Sequence, residues 1–247
     1  MPLRQKGTSL SLWALLPPLL FLLLWEILAL ANGERILPSP KSTLRALGGL
    51  MANRATWRSL LLTLLRGSGG LALGGAAGLA LGTLCGRNPR LHDALSPMVT
   101  LAQGCPPIVW ISLLMVWLSL GGAIPLAVST ISVFPILLIQ TANAVRGLDP
   151  RWFEVAVVYR LSPWQKWRHL LMPAIAHPLA GAFSYACGIT WKVTATAEFF
   201  GATDGMGAQI YQSYHDLALE RLFAWTLLIA LLGMAIDALL VRRLRTL

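Results

Sequence analysis

The stretch ALSPMVTLAQGCPPIVWISLLMVWLSLGGAIPLAVSTISVFPILLIQTANAV, Ala94–Val145, contains no charged residue. A helix that crosses a membrane needs roughly 20 mostly apolar residues. This stretch is therefore long enough for two spans, with LGGAIP at Leu120–Pro125 as the natural turn between them. Of the 247 residues in the whole chain, 12% are charged, against about 25% in an ordinary soluble domain. The sequence thus predicts a helical membrane protein.

Four further segments are apolar enough to cross a membrane. They are Ser9–Ala31, Leu60–Cys85, Leu170–Phe199 and Leu222–Val241. Together with the two spans above, they predict an all-α polytopic membrane protein with six transmembrane helices. Ser9–Ala31 could instead be a cleaved signal peptide, but its apolar stretch is longer than the core of a usual signal, which favours a retained span.

The distribution of lysine and arginine predicts the orientation, because cytoplasmic loops carry an excess of both. Six spans place four basic segments on one side: the N-terminal tail (Arg4, Lys6), the loop after span two (Arg87, Arg90), the island Arg146–His169 and the C-terminal tail (Arg242, Arg243, Arg245). We therefore predict that both termini are cytoplasmic. The net charge of +10 then reflects membrane topology, and no nucleic acid is expected as a partner.

One predicted external segment, Glu34–Arg58, is also basic and does not follow this charge rule. The helix-start signal SPKST at Ser39–Thr43 indicates an amphipathic surface helix there. The predicted organisation has two parts. Residues 1–58 hold the first transmembrane helix and the external amphipathic segment, and residues 59–247 form a five-helix domain.

The charged island RGLDPRWFEVAVVYRLSPWQKWRH, Arg146–His169, interrupts the apolar second half of the chain. It is too polar for lipid, yet its centre is rich in aromatic and aliphatic residues, which a plain solvent loop would not need. This composition predicts a short amphipathic helix that docks on a partner at the membrane surface. Pro163 and Pro173 are expected to keep the island from merging with the next span.

Span two carries glycines at every fourth position, Gly70, Gly74, Gly78 and Gly82. This spacing places them on one stripe of the helix, where small residues let another helix backbone approach closely. The stripe favours packing within the chain, and a subunit interface is the alternative.

Span five carries Lys192, and placing a lysine inside a membrane costs about 2.5–3.5 kcal/mol. Tyr185 and Thr196 fall on the same helix face as Lys192. One interpretation is a positive group that lines the route of an anionic solute. The alternatives are a salt bridge to Glu198, or a lysine that extends to the external surface. Arg66 and Glu26 are close enough to span ends to reach water.

Signatures of catalysis are absent from the sequence. No Gly-Lys pair exists, which excludes a Walker-type phosphate-binding loop. The four histidines are scattered, and none forms a metal-binding pair on a helix. We therefore expect no catalytic residue, no metal and no cofactor in this chain. If transport is driven by ATP, another chain must hydrolyse the nucleotide.

The island resembles the EAA loop of the permease subunits of ABC importers. The conserved Glu corresponds to Glu154, the second Ala to Ala156 and the Pro to Pro173, while Val155 replaces the first Ala and Arg160 replaces the Gly. Residues 162–165, SPWQ, resemble the SxWQ stretch that follows in these permeases. Residues 37–47, the glycine-rich span and residues 197–210 are similar to the nitrate, sulfonate and taurine branch of the family, so the resemblance covers nearly the whole chain.

This resemblance implies a permease subunit in a bacterial-type inner membrane, forming a homodimer with two copies of an ABC ATPase and receiving solute from a periplasmic binding protein. ATP and Mg²⁺ would bind to the ATPase. The segment 146–173 would couple the two subunits, with Glu154 as the charged anchor and Val155, Ala156, Leu161 and Trp164 as the face packed against the ATPase. Arg160, Ser162, Pro163 and Pro173 complete the expected docking residues. Because a non-glycine residue adopts a left-handed backbone at a cost of about 1 kcal/mol, the turn at Arg160 could also be right-handed or extended.

The sequence leaves the solute open. Nitrate, an alkanesulfonate, taurine, a vitamin precursor or another small organic solute would each be compatible. A secondary transporter is a weaker alternative, since it would need coupling carboxylates or paired helix breaks near the midplane.

Overall fold

The computed structural model describes residues 12–149 and 151–238, without the side chains of residues 12–15, 153 and 155. Within these residues the regular structure is entirely helical, which confirms the all-α class. The basic residues of both tails that entered the topology prediction, Arg4, Lys6, Arg242, Arg243 and Arg245, lie outside the described part.

The helices follow one another with short connections. In chain order they are α1 (Leu12–Asn32), α2 (Pro40–Ala52), α3 (Arg54–Arg87), α4 (Pro89–Gly104), α5 (Pro107–Leu118), α6 (Ala123–Arg146), α7 (Arg151–Val158), α8 (Pro163–Gln165), α9 (Met172–Gly201), α10 (Met206–His215) and α11 (Leu219–Ile236). A π-helical turn, Lys166–Leu171, joins α8 to α9.

Four continuous helical segments of the described chain are long and apolar enough to cross a membrane: α3, α6, the run Pro163–Gly201 and α11. The pair α4 and α5 gives a fifth span if the two are taken as one, but they meet at 96°. The straight span expected there is therefore broken. Pro106 and Pro107 lie at the break, and a proline has no N–H to continue a helix. α1 is an apolar helix of 21 residues, and the six-span count stays a prediction.

The centre of the fold is the contact between α3 and α6, which run parallel. The four glycines of the predicted stripe all face α6. A Cβ atom added to Gly74, Gly78 or Gly82 would lie 2.6, 2.8 or 2.6 Å from a carbonyl oxygen of α6. Only glycine permits this distance between the backbones, so the structure places the stripe inside one chain.

The helix α9 runs antiparallel to α6 and closes the core. Near one end, Val145 of α6 packs with Leu171 and Ile175, and further along Val128 packs with Val193 and Ala197. The backbone is helical from Pro163 to Gly201, so Pro173 does not separate the island from the span as expected. The reason is the π-helical turn, in which the Met172 N–H donates to the Trp167 carbonyl. This wider turn accommodates a proline that would otherwise clash with the preceding turn.

A second layer covers the end of the bundle opposite the island. α2 begins as the SPKST signal predicts, with Ser39 as the N-cap that accepts a hydrogen bond from the Ser42 N–H at 3.2 Å. α2, α10 and α11 share a core around Met206, Trp225 and Leu228. This layer fixes the positions of the loop Ala202–Gly205 and of the end of α9 next to it.

Candidate functional site

The coupling segment, Arg146–Pro173, contains a short helix that ends in a Schellman motif. At the end of α7, the Leu161 N–H donates to the Ala156 carbonyl at 3.0 Å, and the Arg160 N–H donates to the Val157 carbonyl at 2.9 Å. These two bonds satisfy carbonyls that a helix end would leave free. Arg160, between the two helices, has φ of +48°. Of the geometries left open by the sequence, the structure therefore has the left-handed one, at the position where the family pattern has glycine.

The next four residues form a capping box. The Ser162 side chain accepts from the Gln165 N–H at 3.3 Å, and the Ser162 N–H donates to the Gln165 side chain at 2.8 Å. Pro163 occupies the first helical position, where no N–H is needed. The SPWQ stretch is thus a helix start. A serine followed by glutamine three residues later is the sequence signal for such a start, and it is present at Ser162 and Gln165.

The coupling segment divides into an inward and an outward face. Ala156 is buried and Leu161 half-buried, both packed against Val145, Leu170 and Ile175 of their own chain. This differs from the prediction that places Ala156 and Leu161 against a partner, because the helix turns its small residue toward the bundle.

The outward face is apolar. Exposed large side chains on it are Trp152, Val157, Val158, Tyr159 and Trp164, with Val158 at 78% and Trp164 at 65% exposure. Glu154 is exposed beside them, as are Arg160, Ser162, Pro163 and Pro173, whereas the Val155 side chain lies outside the described part. Large exposed apolar patches on a protein surface are typical of sites that contact a partner or a membrane.

The three predicted pathway residues, Tyr185, Lys192 and Thr196, are all exposed on one face of α9. Tyr185 and Lys192 line a cleft of about 730 Å³ between α9 and α11, and Asp237 lines the same cleft. Thr196 lies one turn beyond Lys192, and its hydroxyl donates to the Lys192 carbonyl at 2.8 Å. The cleft is mostly apolar with one cationic and one anionic residue.

At the opposite end from the coupling segment, three charged side chains and a threonine meet. We call this group the buried clasp: Thr63, Arg66, Glu198 and Asp204. The Arg66 guanidinium donates to Glu198 Oε1 at 2.9 Å and to the Asp204 carbonyl at 2.7 Å, and it also pairs with the Asp204 carboxylate. Thr63 Oγ1 donates to Glu198 Oε2 at 2.7 Å. Glu198 is 0% exposed, and its hydrogen-bond donors all belong to this chain.

The buried clasp corrects two expectations. Glu198 pairs with Arg66 and not with Lys192, because Lys192 points to the other side of α9. Arg66 does not extend to water, since its side chain is 11% exposed and held by two carboxylates. The sequence alone could not pair residues this far apart along the chain.

The loop after α9 wraps around the Glu198 carboxylate. The Gly207 N–H donates to Glu198 Oε2 at 3.1 Å, and the Met206 N–H donates to Thr63 Oγ1 at 2.9 Å. Gly205 has φ of +102°, and any side chain there would collide with Glu198. The glycines in GATDGMG, residues 201–207, were the available signal that the backbone approaches something closely at this point.

Residues 12–149 and 151–238 contain no group of three or more His, Cys, Asp or Glu side chains that could hold a metal ion.

Comparisons with known proteins identify the family of the chain. Residues 78–246 match the family described as "Binding-protein-dependent transport system inner membrane component". The chain belongs to this family. It is a permease subunit of an ABC importer, and several apolar helices place it in the inner membrane.

Two relatives and one solved structure show how far the likeness extends. The chain is 24% identical over 226 residues to a Bacillus subtilis protein named as an aliphatic sulfonates transport permease, SsuC, covering 91% of this chain and 82% of the relative. It is 28% identical over 242 residues to the bicarbonate transport system permease protein CmpB of Synechocystis, covering 90% and 85%. A chain of the inward-facing MetNI methionine ABC transporter superposes with a TM-score of 0.57 at 22% identity, covering 79% of this chain and 96% of that one. That match concerns the fold.

Proposed function

We propose that two copies of this chain form the pathway of an ATP-driven importer for a small anion, with both termini cytoplasmic. Two ATPase subunits bind ATP and Mg²⁺ and dock on the coupling segments, and a periplasmic binding protein delivers the solute. The observation that carries this proposal is the exposed apolar face of the coupling segment, which includes Val158 and Trp164, with Glu154 exposed one helical turn from Val158.

The coupling segment has the hydrogen bonds and the helical continuity needed to pass a movement on to α9. The Schellman motif at Arg160 and the capping box at Ser162 fix both sides of the turn, and the helix then continues without interruption into α9. A displacement of the docked face is therefore passed to the span that carries Lys192. Closure of the ATPases on ATP would tilt α9 in each copy and change the access to the pathway.

The choice of an anion is supported by Lys192. Inside a membrane a lysine needs a cavity or a partner, and Lys192 lines the cleft beside α11 while Glu198 is taken by Arg66. The relatives named for sulfonates and for bicarbonate also transport anions by those names. Measuring which anion the cognate binding protein binds, and whether it drives uptake in proteoliposomes, tests the solute class. Strict uptake of a neutral solute such as a vitamin precursor would contradict it.

The first prediction concerns docking. Glu154→Ala should leave the permease inserted and folded, because the Glu154 side chain is exposed. It should release the ATPase from the membrane and abolish uptake, since losing one member of a desolvated ion pair costs about 2–5 kcal/mol. Co-purification of the ATPase and solute uptake into proteoliposomes are the two measurements.

The matched control is Arg160→Gly, which restores the family residue at the turn and should keep the ATPase bound. If Glu154→Ala retains both the ATPase and uptake, the coupling segment is an ordinary solvent loop. ATP hydrolysis by the purified permease alone would contradict the division between the two subunits.

A further inference from the structure

A band of unpaired positive charge surrounds the second helix. Between Glu34 and Arg58 the chain holds five basic residues and one acidic residue. All five basic side chains are exposed, and none forms an ion pair with another described residue. The acid, Glu34, accepts a hydrogen bond from the Ser39 hydroxyl at 3.1 Å. No ion pair with a described residue therefore neutralises these cations.

The start of α2 lies beside an apolar helix and does not extend away from it. The Trp25 indole N–H donates to the Pro38 carbonyl at 2.9 Å, although α1 continues past Trp25 to Asn32. Ile27 and Leu30, after Trp25 on α1, are exposed. Pro38 therefore lies at the depth of an apolar surface, which lipid must cover.

The other end of α2 is equally constrained. Only Asn53 separates α2 from α3, and its side chain accepts a hydrogen bond from the Ala55 N–H at 2.9 Å. Arg54, Trp57 and Arg58 lie in the first turns of α3. α2 is therefore attached at its start to α1 and at its end to α3, two apolar helices.

The exposed residues of α2 have the pattern of an interfacial helix. Leu47 and Leu50 point inward to the core around Met206. Lys41 and Arg45, one turn apart, point outward. Exposed Leu44 and Met51 lie along one flank of this basic face, and exposed Trp57 donates its indole N–H to the Met51 carbonyl at 3.0 Å. Basic residues that alternate with apolar and tryptophan side chains are typical of helices buried at the headgroup level.

We propose that Lys41, Arg45, Arg54 and Arg58, the basic collar, bind the phosphate headgroups of anionic phospholipids, while Leu44, Met51 and Trp57 enter the acyl boundary. The assignment of the collar to the outer leaflet rests on the proposed topology, whereas the lipid contact itself does not. A soluble acidic partner fits less well, because it would leave the apolar flank and Trp57 in water.

The experiment uses the purified full-length permease in nanodiscs that hold equal amounts of phosphatidylglycerol and phosphatidylcholine. Native mass spectrometry then counts the lipids that stay bound. The test variant is Lys41→Gln with Arg45→Gln, Arg54→Gln and Arg58→Gln. The matched control exchanges the same four residues between lysine and arginine, which keeps the charge. The thermal midpoint of each variant checks that it is folded.

We expect wild type and the charge-conserving control to be enriched in phosphatidylglycerol. The glutamine variant should lose on the order of tenfold or more of this enrichment, because each basic residue near a membrane surface changes anionic-lipid affinity by about fivefold. Unchanged enrichment in the glutamine variant would overturn the proposal, and so would an equal loss in the charge-conserving control.

Two further arms exclude other ligands of the same surface. Displacement of phosphatidylglycerol by millimolar inorganic phosphate would show a site for soluble phosphate. In nanodiscs of phosphatidylcholine alone, a loss of binding-protein affinity in the glutamine variant would assign the collar to that protein. Either result would overturn the lipid assignment. The lipid count is read without ATP or solute, so it is independent of whether the chain imports an anion.

Discussion

The buried clasp and the coupling segment place their acidic side chains in opposite environments. In the clasp, Glu198 is completely buried and accepts hydrogen bonds from Thr63, Arg66 and the Gly207 backbone. In the coupling segment, Glu154 is exposed next to bare apolar side chains such as Val158. The hydrogen-bond partners of Glu198 all lie in its own chain, whereas the apolar side chains around Glu154 are open to contact.

This contrast predicts which residues hold the fold and which serve the proposed docking. A buried carboxylate whose partners all lie in its own chain can only be lost at the expense of stability. An exposed carboxylate on an apolar patch can be lost with little effect on the isolated fold, but with a large effect on a complex. The helices α3, α6 and α9 connect the two regions, so both can be tested in one chain.

The largest effect is expected from a substitution that breaks the buried clasp. Glu198→Ala would leave Arg66 paired only with Asp204 and would remove one of the two acceptors within reach of the Thr63 hydroxyl, leaving the Ser59 carbonyl at 3.1 Å. Breaking a buried pair on one side destabilises by about 3–5 kcal/mol. The variant should therefore unfold at a clearly lower temperature or denaturant concentration in detergent.

The matched control for the clasp is Asp204→Ala. Asp204 is 42% exposed, so water screens its charge and the loss of stability should be smaller than for Glu198→Ala. Equal midpoints for Glu198→Ala and wild type would mean that the clasp does not hold the outer end of the bundle together.

A smaller loss of stability is expected from a substitution at the contact between α3 and α6. Gly74→Val would place a Cβ 2.6 Å from the Thr130 carbonyl oxygen of α6. Because backbone lies on both sides, the helices must separate, and overpacking of this kind costs about 1–3 kcal/mol. The same denaturation midpoint measures it.

Gly181→Val on α9 is the control, because nothing lies within 4 Å of the added Cβ there. It introduces the same side chain into a long helix without a collision. If both variants lose stability equally, helix propensity and not the approach of α3 to α6 explains the loss.

The smallest effect is expected from a substitution at the turn of the coupling segment. Arg160 has φ of +48°, and a left-handed backbone costs a non-glycine residue about 1–2 kcal/mol. Arg160→Gly should therefore raise the stability of the turn by about 1 kcal/mol, visible as slower amide exchange at Leu161, whose N–H closes the Schellman motif. Faster exchange in the variant would indicate that the arginine side chain stabilises the turn.

Several features of the fold could be predicted from short stretches of sequence. The absence of charge from Ala94 to Val145, the glycine spacing of α3 and the SPKST helix start are each legible within a few turns of chain. All three depend on contacts or solvation of neighbouring residues, which sequence spacing encodes directly. The permease family was also accessible, because the spacing from Glu154 to Pro173 lies in one continuous segment.

Tertiary structure alone decided the rest. Which acid Arg66 meets depends on how α3 and α9 cross, and the partners Arg66 and Glu198 are 132 positions apart. Whether Ala156 faces a partner or its own bundle depends on the rotation of α7 about its axis, which Val145 and Ile175 determine by packing. The sequence by itself determined which segments are apolar and where α2 begins, because those properties are local. Only the packed bundle decided which charges are buried together and which apolar faces stay open, because those depend on surfaces that meet across the fold.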